Sequence, residues 1–259
     1  MITSMGNAQV KQLLQWQKKA KQRNKDGIFL VEGIRMSAEV PKERLQNVYV
    51  SKSFYEKKKE MLDKMQIPCE ILADDVFARV SDTQTPQGIL CVVKQSIYKF
   101  EEVTGGKRVH LMVLDNLQDP GNLGTIFRTA EGAGVSGIIL SKDCVDIYNP
   151  KTIRSTMGAI YRMPFIYVED LPKACALLKK KEICLYAAHL DGAHFYDEED
   201  YSGGGAFLIG NEGNGLRDEV AACADVRIKI PMHGQVESLN AAVAASILMY
   251  EVCRQRRKE

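Results

Sequence analysis
Along residues 7–22 the apolar side chains Val10, Leu13, Leu14 and Ala20, with Trp16, recur among polar neighbours at a roughly helical spacing. A short unbroken apolar run at 28–31 follows, closes at Glu32-Gly33 and predicts a strand. Residues 47–50, 69–73 and 88–94 predict further strands, the last entered through the turn signal Thr85-Pro86-Gln87-Gly88. The charged stretch 54–65 lies between two of them and predicts a helix. Strands alternating with helices in this way predict an α/β sandwich.

Residues 96–107 carry no sustained period and contain Gly105-Gly106, which predicts an interdomain linker; a long surface loop inside one domain is the alternative. From residue 108 the alternation restarts. Strands are predicted at 109–115, 137–140, 164–168, 183–188, 206–210 and 226–230, and helices at 121–133, 149–158, 170–180, 216–222 and 238–256. Several of these strands are continuous β-branched runs, as in parallel strands buried on both faces. The expected organisation is therefore an N-terminal α/β domain over 1–95, a linker over 96–107 and a doubly wound, mostly parallel α/β domain of six strands over 108–259.

Composition narrows the class. The chain has 259 residues, 45% apolar and 26% charged, which excludes a disordered, collagenous or fibrous protein. No apolar run approaches the roughly 18–20 residues that span a bilayer, so no membrane partner is expected. The first 25 residues lack an apolar core followed by a small-residue cleavage site, so a cytoplasmic location is expected. The seven cysteines are an odd number, lie far apart and form no CxxC pair, the pattern of reduced cytosolic thiols. The four histidines show no ligand spacing, and no metal is expected.

The net charge of +2 hides an asymmetry: residues 1–64 carry 14 Lys/Arg against 7 Asp/Glu, a net of +7, and the remainder is net −5. The first 25 residues hold six basic side chains and no acidic one, including Lys18, Lys19, Lys21, Arg23 and Lys25. Such an end attracts polyanions, nucleic acid above all, or is a solvated helix face; charge alone leaves both open.

Three segments stand out as candidate chemistry. The first, DNLQDPGNLGTIFRTAEGAGV (115–135), starts at the carboxyl end of a strand, where open α/β sheets place ligands. Asp119 or Asn122 can cap the helix that follows, and Arg128 lies one to two turns in, suited to a phosphate or carboxylate unless it is an ordinary surface arginine. The second, FLIGNEGNGL (207–216), sets a lone acid, Glu212, among Gly210, Gly213 and Gly215 directly after a strand. It is neither GxGxxG nor a Walker loop, so a Rossmann dehydrogenase or nucleotide-phosphate site is not supported; a plain connecting turn is the alternative. The third, IKIPMHGQVESLNAAVAASILMYE (228–251), ends a strand at Pro231 and opens a small-residue helix. Ser238 reads as its cap, and Asn240 is a polar amide in the first turn that gains little unless something binds it.

Taken together, NLGTIFRTAEGAGV (122–135), LIGNEGNGL (208–216) and IPMHGQVESLNAAVAASILMYE (230–251) resemble, in order and spacing, the SpoU/TrmH family of SPOUT-class RNA 2′-O-ribose methyltransferases. IFLVEGIRM (28–36) and TPQGILCVVK (85–94) resemble that family's substrate-binding domain, which is similar to ribosomal protein L30e. The resemblance implies a SPOUT domain with a deep trefoil knot, a homodimer with the active site near the subunit interface, and S-adenosylmethionine (AdoMet) as methyl donor. It implies cofactor contacts at Gly210, Glu212, Ile230, Met232, Ser238 and Leu239. It implies catalytic roles for Asn122, Arg128, Glu212, Ser238 and Asn240. A guanidinium has a pKa above about 12, so Arg128 is expected to clamp the neighbouring phosphate and ribose rather than act as a free base. Lys18, Lys19, Lys21, Arg23, Lys25 and Arg35 are the expected RNA contacts. The implied substrate is structured RNA, 23S ribosomal RNA in the first place; tRNA methylation and a non-catalytic ribosome-assembly role are the alternatives.

Overall fold
The computed structural model describes residues 1–65 and 68–257; the last two residues of the expected C-terminal domain lie outside the described residues. The chain divides into two compact units: Met1–Ser96 with Asp146–Tyr161, and Ile97–Val145 with the chain from Arg162 onward.

The first unit contains α1 (Ala8–Lys18), α2 (Ala20–Asp26), β1 (Ile28–Glu32), α3 (Ile34–Ala38), β2 (Leu45–Ser51), α4 (Lys52–Met65), β3 (Cys69–Leu72), α5 (Asp74–Val80) and β4 (Ile89–Lys94). Its sheet runs in the order β1-β4-β2-β3, with β4 antiparallel to both neighbours and β2 parallel to β3. Val10 and Leu13 of α1, Val76, Phe77 and Val80 of α5, and Leu30, Leu90 and Val92 of the sheet share one core. The helix expected over 7–22 is in fact two, because Lys19 takes an extended conformation (φ −121°, ψ 106°). Asn7 caps the first, its side chain accepting from the Gln9 N–H at 2.8 Å, and Gly27 in the left-handed region (φ 64°) ends the second.

Arg23 corrects the expectation of an RNA contact. It is 3% exposed; its Nη1 donates to the carbonyls of Trp16 (2.6 Å) and Gln17 (3.2 Å) near the end of α1, and its Nη2 pairs with Asp146 at 2.6 Å. Terminal carbonyls of a helix lack intrahelical donors, and here a guanidinium supplies them.

The partner Asp146 belongs to the second correction. The helix expected at 149–158 as part of the C-terminal domain is α8 (Pro150–Thr156), and the segment Asp146–Tyr161 is part of the first unit. Asn149 caps α8 and Pro150 occupies its first turn, where a missing N–H is harmless. Tyr148 packs on Phe29 with ring centroids 4.9 Å apart, Tyr161 donates its hydroxyl to the Met36 carbonyl at 3.0 Å, and Arg154 pairs with Asp82 at 2.6 Å.

The second unit contains α6 (Phe100–Val103), β5 (His110–Leu114), α7 (Pro120–Gly132), β6 (Gly137–Ser141), β7 (Phe165–Val168), α9 (Leu171–Lys180), β8 (Leu185–Ala188), β9 (His194–Phe195), β10 (Gly205–Ile209), α10 (Asp218–Ala221), β11 (Val226–Lys229) and α11 (Ala241–Arg256). All seven strands are parallel, in the order β7-β6-β5-β10-β8-β11-β9. The two-residue β9 is the strand that the sequence pattern omits. The central strands β5, β6 and β10 are buried along their whole length, as continuous apolar runs require. Leu171, Cys175 and Leu178 of α9 and Val220 of α10 join Leu111, Val113 and Leu208 in one core.

The stretch expected as a linker contributes to that core. Val103 of α6 is fully buried, and Tyr98 and Phe100 pack against the same cluster. One helical turn is too short to show a period.

Helices α7 and α11 pack along each other in the same direction: Asn240 meets Asn122, Ser246 donates to Thr129 at 3.4 Å, and the Cys253 thiol donates to the Ala133 carbonyl at 3.0 Å. Ala241, Ala242 and Ala245 are buried, their small side chains suiting close approach of two helix backbones. The expected start of α11 at Ser238 is corrected to Ala241. Asn240 is the cap, its Oδ1 accepting from the N–H groups of Ala242 (2.9 Å) and Val243 (3.3 Å).

Candidate active site
Strands β5 and β10 lie side by side with Leu114 opposite Ile209, and the Asp115 N–H donates to the Ile209 carbonyl at 2.8 Å. The segments that follow both strands therefore leave the same carboxyl edge of the sheet, where crevices form in open α/β folds. Asn116 turns the first segment in the left-handed region (φ 54°), a conformation asparagine tolerates. Asp119 then caps α7, accepting from the Asn122 N–H at 2.8 Å.

The second segment closes on itself. Asn211 and Gly215 exchange backbone hydrogen bonds at 2.9 and 3.0 Å, and the Asn211 Oδ1 accepts from the N–H groups of Gly213 and Asn214. Gly210 is required by this turn: a Cβ there would lie 2.1 Å from the backbone of Gly215 and Leu216. The Asn211 Nδ2 donates to the Asn116 carbonyl at 2.8 Å and ties the two segments together.

Glu212 carries the tie further. Its carboxylate accepts from the N–H groups of Gln118 (3.1 Å) and Asp119 (3.0 Å) and from the Asn122 Nδ2 (3.0 Å). Partial desolvation pushes its pKa up, but the donors from Asp119, Asn122 and Gln118 outweigh this and hold the carboxyl below its usual value. The Asn122 Oδ1 in turn accepts from the Asn240 Nδ2 at 2.9 Å. One hydrogen-bonded chain, Glu212 to Asn122 to Asn240, thus joins all three sequence segments.

The other expected residues fall around it. Gly210 follows β10 and Ile230 follows β11, strands that flank β8 on either side. Ile230, Met232 and Leu239 are half-buried and Ser238 is exposed. Among the described residues no backbone hydrogen bond involves 230–239, so that stretch offers N–H and C=O groups to a ligand. Main-chain donors and acceptors of this kind are compatible with a polar ligand such as AdoMet. Arg128 is not brought to the chain of amides: it is exposed on α7 and has no ion pair or side-chain hydrogen bond among the described residues. Lys18, Lys19, Lys21, Lys25 and Arg35 are exposed on the first unit. Trp16 donates its indole N–H to Asp26 at 2.6 Å and Phe29 is fully buried.

Sequence reasoning missed the clamp beneath the loop. Asp115 is 0% exposed, and its carboxylate accepts from the Arg217 N–H (3.0 Å), Nε (2.8 Å) and Nη2 (2.5 Å). A carboxylate closing a fully buried strand needs a buried partner, and an arginine directly after the second motif was the available signal. Among the described residues no group of His, Cys, Asp and Glu could hold a metal.

Comparison with known proteins agrees with this geometry. Residues 110–250 match the model of the SpoU rRNA methylase family, and residues 7–91 match that of the MRM3-like substrate binding domain. The chain is 33% identical over 256 residues to the 23S rRNA (guanosine(2553)-2′-O)-methyltransferase RlmP of Bacillus subtilis, covering 97% of this chain and 98% of the relative. The AdoMet complex of the SpoU methyltransferase AviRb from Streptomyces viridochromogenes superposes with a TM-score of 0.87 at 25% identity, over 97% of this chain and 98% of that one. The AdoMet-bound rRNA methyltransferase of Sinorhizobium meliloti gives a TM-score of 0.83 at 28% identity, over 98% and 97% of the two chains. A parallel sheet whose carboxyl edge ties three motifs together, and a family model matching more than half of the chain, lead to one conclusion: this protein belongs to the SpoU rRNA methylase family.

Proposed function
We propose that this protein transfers the methyl group of AdoMet to a ribose 2′-hydroxyl of 23S ribosomal RNA. That it is an AdoMet-dependent RNA methyltransferase follows from its family; the 2′-oxygen and the ribosomal target are supported by the RlmP relative, similar over nearly the whole chain, and by the substrate-binding match at 7–91. The observation that carries the reading is the chain Glu212–Asn122–Asn240, which rigidifies three separate segments around one edge of the sheet.

Gly210, Glu212, Ile230, Met232, Ser238 and Leu239 are the residues that would hold the cofactor. Bound there, AdoMet would supply an already activated methyl group and leave as the neutral thioether, so the protein's task is to align donor and acceptor while the 2′-hydroxyl proton passes to the neighbouring phosphate or to water. The ionised Glu212 locks Asn122, and Asn122 locks Asn240. The amides and the Ser238 hydroxyl do not change charge, and they orient the ribose without competing for its proton. Arg128 grips the phosphate next to the target sugar.

Arg128 stands apart from the amide chain within one copy, and a homodimer supplies the missing group from its partner. Val243 and Tyr250 of α11, 48% and 51% exposed, are the apolar side chains such a contact would cover. The trefoil knot belongs to the same reading, and the close pass of Gly215–Leu216 over Gly210 is compatible with it. Among the described residues no helix is long and apolar enough to cross a membrane, and the cytoplasm is the setting this reading implies.

The test is a map of 2′-O-methyl sites in total RNA from a deletion strain and its parent. One lost site in 23S rRNA, restored by the purified protein with AdoMet, is the expected result. A site lost from tRNA would move the substrate, and no lost site would remove the activity.

A further inference from the structure
We propose that Arg217 is a positioning residue for the cofactor loop, acting through the buried carboxylate of Asp115; this rests on the AdoMet reading of the site. The loop leaves β10 at Gly210 and returns through Gly215 and Leu216, whose backbone fills the space where a Cβ of Gly210 would stand. The outgoing limb is held by Asn211 on Asn116 and by Glu212 on the N–H groups of Gln118 and Asp119. The returning limb is held by Arg217. Both oxygens of Asp115 are engaged, one by the Arg217 backbone N–H and the other by its Nε and Nη2.

The guanidinium also spans the sheet edge. Its Nη1 lies 3.4 Å from Asp143, in the turn after β6, and 3.8 Å from Glu219 at the start of α10. Asp143 presents its carbonyl to the Gln118 Nε2 at 2.6 Å, and the neighbouring Gln118 N–H meets Glu212. Arg217 therefore grips the start of one loop, the end of the other and the turn beside them. A planar fork with several donors can do this, and a single ammonium cannot. Its hydrogen bonds to Asp115 and the nearby carboxylates keep it firmly cationic. The grip fixes how the returning limb presses on Gly210, and hence where the Gly210 main chain faces a cofactor.

The test uses the full chain. Arg217→Met should weaken calorimetric AdoMet binding about tenfold, the loss of roughly one charge-assisted hydrogen bond, while KM for RNA stays unchanged. Arg217→Lys should recover part of the affinity. Leu178→Ala, in the last turn of α9, controls for lost stability: it should lower Tm without changing AdoMet affinity. If the unpaired Asp115 carboxylate unfolds Arg217→Met, the double variant Asp115→Asn, Arg217→Gln removes charge and fork together and carries the same expectation. Wild-type affinity in a folded Arg217 variant, or an affinity loss equal to that of Leu178→Ala at the same Tm, overturns the proposal. Failure of the wild-type protein to bind AdoMet would instead overturn the cofactor reading beneath it.

Discussion

At the scale of single residues, charged side chains of one sign do two different jobs. Lys18, Lys19, Lys21 and Lys25 are exposed, whereas Arg23 between them is buried on two carbonyls and Asp146. Replacing the four lysines by alanine should flatten the salt dependence of RNA binding with little change in Tm, measured by filter binding across a salt series. Arg23→Ala should leave that slope unchanged and destabilise the protein by about 1–3 kcal/mol, the cost of freeing the two helix-end carbonyls and a partly exposed Asp146, read by urea unfolding. Arg128→Ala should lower turnover by at least about 10²-fold while AdoMet affinity holds, since it removes a contact to the substrate rather than to the donor. His110 is 1% exposed against Phe207, and among the described residues neither of its ring nitrogens has a hydrogen-bond partner. Burial, with the Arg256 charge adding to it, pushes its pKa down to about 4. The unfolded chain takes up this proton near pH 6.5 and the folded chain refuses it until about pH 4. Stability present above pH 6.5 is thus lost progressively as pH falls through that window, up to about 3 kcal/mol, and His110→Leu should flatten the slope.

At the scale of elements, what the sequence made legible follows burial. The runs that became β5, β6 and β10 could be read because both faces are covered, and their polar residues, His110 and Ser141, sit only at strand ends. The ends were harder, because several residues in a row are chemically able to cap. Serine before an apolar run favours Ser238, yet Asn240 caps equally well and also reaches Asn122 across the helix pair. That double duty can be separated. Asn240→Ala should lower stability by about 1 kcal/mol through the lost cap. Asn240→Ser should restore the Tm but not the turnover, because a hydroxyl can cap and is too short to bridge. The break at Lys19, the single turn of α6 and the two-residue β9 left no period to detect. The clamp of Arg217 on Asp115 was invisible for another reason: the two are 102 positions apart, and only parallel pairing of β5 with β10 brings them together.

At the scale of the whole chain, the first unit is made of two pieces. The helix signals of 146–161 are ordinary, so nothing in their pattern says which sheet they cover; the ring of Tyr148 on Phe29 and the carboxylate on Arg23 decide it. A fragment ending at residue 96 should therefore melt well below the same sheet in the full protein. A synthetic peptide of residues 146–161 should raise its Tm in a thermal scan, and no shift at saturating peptide would argue against the discontinuous unit. The two-piece construction also imposes a timetable on synthesis. Domains generally fold as units while the chain emerges, N-terminal parts first. Here the first sheet can be paired as soon as β4 is out, yet Arg23 must wait for Asp146, and Phe29 for Tyr148, some fifty residues later. Through that interval the nascent chain carries an unpaired cation and a bare aromatic face, and the unit translated first is completed only after part of the second has already been made.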